Sequence, residues 1–156
     1  MWRRRLIAAG IVLLLGGGGY AAWRLTHPPL SDREQINRLL ESIKRGVETK
    51  RPRMIVSAIS DDYRDDSGLT KRDLHRLSLE LLRTRGTPQV IIEEMKVVIR
   101  GGRADVRLAG EAAIYERGRK TDHYSATVNL HLRKRHGRWL ITSTSGWQGK
   151  VAGEFE

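Results

Sequence analysis

Residues 89–118, QVIIEEMKVVIRGGRADVRLAGEAAIYERG, decide how the chain folds. Here the apolar positions stop recurring every three to four residues, as on a helix, and begin to alternate with polar ones, as on a strand. Val106, Leu108, Ala112 and Ile114 share one side, while Asp105, Arg107, Glu111 and Arg117 take the other. The alternation resumes downstream, where Tyr124, Ala126, Val128, Leu130 and Leu132 oppose His123, Ser125, Thr127, Asn129 and His131. Turns at Gly101-Gly102, around Gly118 and at His136-Gly137 cut this half into about four strands, which reads as an antiparallel meander. Such a sheet is apolar on one side and polar on the other, so it needs cover on the apolar side only.

The first half of the chain supplies that cover. Pro28 and Pro29 are followed by Ser31-Asp32-Arg33-Glu34, a hydroxyl with a carboxylate three residues on, which marks a helix start. Ile36, Leu39, Leu40, Ile43 and Val47 then form one apolar stripe. Pro52 opens a second, shorter helix with Ile55, Val56 and Ile59 facing inward. A polar loop, SDDYRDDSG, leads to a second capping signature at Thr70–Asp73. Leu74, Leu77 and Leu81 predict the buried stripe of a third helix, which Gly86 and Pro88 end. Helices with one apolar stripe and a sheet with one apolar face close most economically on each other, giving an α+β domain.

Before this domain stands MWRRRLIAAGIVLLLGGGGYAAWRLTHPP. The uncharged run 6–23 follows Arg3, Arg4 and Arg5, and as a helix it is roughly 27 Å long, close to a bilayer's hydrocarbon core. Charge before the run predicts the N-terminus inside and the body outside. Gly16 to Gly19 interrupt the apolar stretch as the end of a signal peptide does, and cleavage after Ala21 is the alternative. Either way the body is exported. The expected layout is a basic stub 1–5, an anchor or signal 6–23, a linker 24–30, the domain 31–149 and a tail 150–156. The expected location is a bacterial inner membrane with the body in the periplasm or outside the cell, or secretion if the leader is cut. The chain has no cysteine, so thiolate metal sites, disulfides and cysteine nucleophiles are absent. Its net charge is +11, and it stays basic without the leader arginines. That balance suits anionic lipid or an acidic partner. Nucleic acid is not expected, because the aromatics read as core rather than as an exposed stacking surface.

Three helices, an Asp-Asp-Tyr-Arg-Asp loop between the second and third, and a bent meander closing on Trp139, Leu140 and Ile141 resemble the nuclear transport factor 2-like superfamily, the cystatin-like roll that includes the SnoaL-like enzymes. The resemblance covers about 31–149. It implies a cone-shaped roll in which three N-terminal helices pack on a bent antiparallel sheet of four strands or slightly more, leaving a pocket at the wide end. The superfamily contains cyclases and isomerases as well as non-enzymatic binding and assembly modules, so the fold alone does not choose between them.

The chemistry-bearing residues lean away from catalysis. Asp61, Asp62, Asp65 and Asp66 do not match a calcium loop, since Tyr63 and Arg64 fall where acids are needed. They read as turn and cap residues with Arg64 and Arg72 to neutralise them. His123 and His131 share a face but stand roughly 26 Å apart along a strand, too far to share a metal. No cofactor and no metal are expected. The polar sheet face is the expected interface, through Arg107, Glu111, Thr127, Asn129 and His131, with a second copy or an envelope protein as partner and lipid around the leader. The alternative is a small-molecule or lipid pocket, or a cyclase or isomerase type of site, walled by Tyr63, Tyr124 and Trp139.

Overall fold

The computed structural model describes residues 30–80, 83 and 85–151. The stub, the leader, the linker up to residue 29, Leu81 and the tail beyond 151 lie outside the described residues. The chain divides into two units, 1–31 and 32–156, and the second carries every described helix and strand. Among the described residues three helices, α1 (Asp32–Glu48), α2 (Pro52–Val56) and α3 (Lys71–Glu80), precede four strands, β1 (Thr87–Arg100), β2 (Arg103–Glu116), β3 (Arg119–Arg135) and β4 (Arg138–Val151). The strands form one antiparallel sheet in the order β1-β2-β3-β4. Two-residue turns join them, as the glycines predict. Arg117 and Gly118, and likewise His136 and Gly137, all hold positive φ (50°, 79°, 49° and 76°), the geometry that matches a hairpin's right-handed twist.

The helices cover the apolar side of the sheet, but only at one end. Ile36 and Leu40 of α1 pack with Val106, Leu130, Leu132, Trp139 and Ile141 in a single buried cluster. Along β3 burial then fades, from Leu132 and Leu130 through half-buried Val128 and Ala126 to Tyr124, which is 41% exposed. Length explains the gradient. α1 and β3 each have 17 residues, but a helix rises 1.5 Å per residue and a strand about 3.3 Å, so α1 is about 25 Å long against about 56 Å for β3. On β2 the alternation expects the even-numbered side inward throughout; instead Ala112 is exposed and Ala113 buried.

Two helices also differ from their expected form. α2 ends at Val56, and Ile59, expected on its inner face, instead pairs with Ile141 in a short parallel bridge. Ser60 N–H donates to Ile141 O (2.9 Å), Ile141 N–H to Ala58 O (2.9 Å) and Arg64 N–H to Thr142 O (3.1 Å). This segment covers part of the outer edge of β4, whose unpaired backbone would otherwise offer a docking strand. In α3 the inward residues are Leu74 and Ser78, one turn apart, while Leu77 is 47% exposed. The predicted Thr70–Asp73 cap forms in full: Thr70 N–H and Oγ1–H donate to Asp73 Oδ2 (3.0 and 2.6 Å), and Asp73 N–H returns to Thr70 Oγ1 (3.4 Å).

The sheet bends at irregularities. Pairing shifts at Ile92/Glu94 on β1, at Ile114/Tyr115 on β2, and at Thr127/Asn129 and His131/Leu132 on β3, and each extra residue adds local twist. Gly110 is required at the first of these, because a Cβ there would run into the Ile91 carbonyl oxygen.

Candidate functional site

The residues of interest fall on two sides of the sheet. On the covered side Tyr63 and Trp139, both 3% exposed, belong to one cluster. Tyr63 Oη lies 2.8 Å from Thr144 Oγ1, and burial pushes the phenol above its ordinary value of 10.0. Trp139 Nε1–H donates to Asp32 Oδ1 (3.1 Å), which also accepts from Lys134 Nζ (2.6 Å). Tyr124 lies apart from this pair, on the uncovered stretch of β3. Among the described residues the buried polar side chains are Ser60 and Ser78, and the one buried ionisable group is the Tyr63 phenol, already bonded to Thr144.

The Asp-rich loop is committed to structure. Asp65 Oδ1 accepts the N–H groups of Ser67 (2.9 Å) and Leu69 (2.8 Å). Asp61 pairs with Lys71 (2.8 Å). Asp62 accepts from Ser60 Oγ and Arg135 Nη2 (2.5 Å each). The neutralising cations here are therefore Lys71 and Arg135 rather than Arg64, and Arg135 reaches the loop from the end of β3. No group of three or more histidine, aspartate or glutamate side chains among the described residues is placed to hold a metal.

On the open side, register decides which residues meet. Asp105 faces His131, Arg107 faces Asn129, Ala109 faces Thr127 and Glu111 faces Ser125. Four of the five expected interface residues thus lie on two adjacent rungs or their immediate neighbours, and Glu111 stands farther along. His131 is held at both nitrogens: Nδ1 lies 2.8 Å from Asp105 Oδ1 and Nε2 lies 3.1 Å from Ser145 Oγ. Alternation alone does not single out Asp105 or Ser145. It marks Asp105 only as one polar residue among several, and the contact with Ser145 depends on how β4 pairs. At the next histidine, His123 Nε2 comes within 2.9 Å of Glu111 Oε2 without hydrogen-bond alignment. The apolar side chains Ile91 and Val98, 55% and 41% exposed, flank the polar rungs on β1, opposite Glu111 and Asp105.

The Asp105–His131–Ser145 chain has the order of a nucleophilic triad, but the side chains of His131 and Asp105 are 43% and 55% exposed. Water competes for every one of these contacts, and electrostatic preorganisation needs its exclusion. What the geometry offers is a rigid, hydrogen-bonded polar surface. At the β1–β2 turn end of this side, a cleft of about 590 Å³ lies among Arg100, Arg103, Arg133, Asp105, His131 and Ser143.

No protein-family model matches the chain, and no curated protein is similar to it. Solved structures do match. A nuclear transport factor 2-like protein with a cystatin-like fold from Novosphingobium aromaticivorans is 14% identical over 87% of this chain and 89% of its own, with a TM-score of 0.62. A candidate scytalone dehydratase from the same organism is 12% identical over 78% and 84%, with a TM-score of 0.65. A candidate calcium/calmodulin-dependent protein kinase II association domain from Xanthomonas campestris is 15% identical over 82% and 93%, with a TM-score of 0.61. At these identities the likeness is one of fold: an α+β cystatin-like roll with a four-stranded antiparallel sheet. It spans enzyme and assembly names alike.

Proposed function

We propose that the domain is a non-catalytic binding or assembly module, held at the outer side of a bacterial inner membrane by its leader, which self-associates through the open side of the sheet. The observation that carries this reading is the division of chemistry between the two sides. Inside, the buried side chains described are hydrophobic apart from two serines, no carboxylate or histidine is among them, and the one buried ionisable group, the Tyr63 phenol, is bonded to Thr144. The polar groups stand outside, on Arg107, Asn129, Thr127, Glu111 and His131, the last held by Asp105 and Ser145, with Ile91 and Val98 beside them. A surface mixing fixed hydrogen-bonding groups with exposed aliphatic side chains has the make-up of a modest protein interface. Among the described residues no helix is long and apolar enough to cross a membrane, so the tether in this reading is the run 6–23.

Sedimentation of the full chain in detergent tests it. The wild type sediments as a dimer, and Arg107→Ala with His131→Ala shifts it to the monomer. A monomeric wild type, or a dimer indifferent to both changes, removes the self-association. Protease digestion of intact and opened cells tests the placement, since the body is cut from the outside only if it is exported.

One observation favours a small-molecule site as the second reading. Asn37 Oδ1, on α1, is buried without a hydrogen-bond partner, and an orphaned acceptor is a place where a ligand donor would gain most. Asn37→Leu discriminates: a purely structural orphan yields a more stable protein by about 1 kcal/mol, whereas a ligand contact yields loss of binding in a small-molecule thermal-shift screen.

A further inference from the structure

The cleft at the β1–β2 turn carries an arrangement that the self-association reading does not use. Arg100 faces Arg103 across the first pair of strands, and Arg103 faces Arg133 across the second. Three arginines therefore stand on one rung of the sheet, with neighbouring strands about 4.8 Å apart, and all three line the cleft. Like charges directly opposite one another destabilise a sheet. The next two cations along β3 are neutralised: Lys134 pairs with Asp32 and Arg135 with Asp62. On this rung it does not. Arg103 and Arg133 have no ion pair among the described residues, and Arg100 reaches Asp105 only at 4.0 Å. Asp105, the one carboxylate in the cleft, is already engaged by His131 at 2.8 Å.

We infer that the cleft between Arg100, Arg103 and Arg133 is a binding site for a phosphate-type oxyanion. Planar guanidinium forks in a row match tetrahedral oxyanions by bidentate donation. Ser143 lines the same cleft, on the next rung, where its hydroxyl can donate to a remaining oxygen. An oxyanion seated there removes the mutual repulsion of the rung, so binding and stability are linked. The larger cleft at the opposite end of the sheet, about 760 Å³, is a weaker candidate, because its carboxylate, Glu116, stands among Arg85, Arg117 and Arg119 without a histidine to engage it as His131 engages Asp105. The chemistry recognised is the phosphate group itself, whether on a soluble ester or on a phospholipid headgroup.

The test is calorimetric titration of inorganic phosphate into the full chain in a neutral detergent, with chloride at matched ionic strength as the control. Phosphate binds saturably and raises the melting temperature. Arg103→Gln with Arg133→Gln weakens binding about tenfold or more, each tenfold step being 1.4 kcal/mol, while Arg117→Gln with Arg119→Gln leaves it unchanged. No saturable binding, or equal loss in the two double variants, overturns the inference, the second result meaning only general charge attraction. Circular dichroism confirms that each variant is folded. Because His131 and Arg107 are untouched, sedimentation of the same variants reads self-association separately. Repeating the titration in nanodiscs distinguishes the sources: phosphate binding abolished by phosphatidic acid in the bilayer, but not by phosphatidylcholine, assigns the site to a headgroup, and binding indifferent to lipid assigns it to a soluble phosphoester.

Discussion

The two sides of the sheet are built from alternate residues of the same strands, yet they are held by forces of different size. On the covered side Ile36, Val106 and Leu132 have left water almost completely, and burial of such side chains is worth about 1.5–3 kcal/mol each. On the open side Asp105, His131, Arg107 and Asn129 meet across strands in pairs worth about 0.2–1 kcal/mol. The contrast teaches where this protein is free to carry function. A change on the covered side is felt in folding, whereas a change on the open side leaves the fold standing and alters what the surface recognises.

The sharpest way to break the comparison is Leu132→Ala, which should cost about 2–5 kcal/mol in denaturant unfolding; a loss within error would mean that the core is not where burial places it. Gly110→Ala comes next. Its Cβ meets the Ile91 carbonyl at the β1 irregularity, and relief by a backbone shift should cost about 1–3 kcal/mol and alter amide exchange along β1. Tyr63→Phe removes the bond to Thr144 and should cost about 1 kcal/mol, most of which should disappear in a Thr144→Val background.

Acid titration probes the ion pairs joining helices, loop and sheet. Hydrogen bonds from Lys134 to Asp32, from Lys71 to Asp61, from Ser60 and then Arg135 to Asp62, and from Thr70 to Asp73 hold these carboxyls below 3.8. A carboxyl with a lowered folded value contributes stability that is present above its unfolded value and is lost as pH falls through the folded one. The stability that these four carboxyls contribute should therefore be lost below pH 3.8, and Asp62→Asn should flatten that fall. An equally steep fall in this variant would show that Asp62 plays no part. The smallest expected effect is on the open side: Asp105→Asn should change folding stability by no more than about 0.5 kcal/mol, since the pair is solvated and screened, while weakening association measurably by sedimentation.

Much of the fold is legible in residues 89–118 and their continuation. The period-two alternation sets which side chains of β2 and β3 share a face near the β1–β2 turn, and the glycine turns set the strand ends, because a strand's side-chain period and a tight turn's positive φ are local properties. The Thr70–Asp73 cap is legible for the same reason. The end of the cover is not, since it depends on α1 being less than half as long as the strand β3 it packs on, which no alternation records. That is why Tyr124, on the same parity as Leu132, stands in water.

The candidate site divides in the same way. Sequence alone placed Arg107, Thr127, Asn129 and His131 on one polar side, as parity requires. Only the tertiary pairing brought Asp105 and Ser145 to the two nitrogens of His131 and set Arg100, Arg103 and Arg133 on one rung, because register between strands is fixed by turns and bulges that act across tens of residues. Local chemistry determined the elements and their faces; the distances between elements, and hence every contact that can bind something, came from how unequal lengths of helix and strand were packed together.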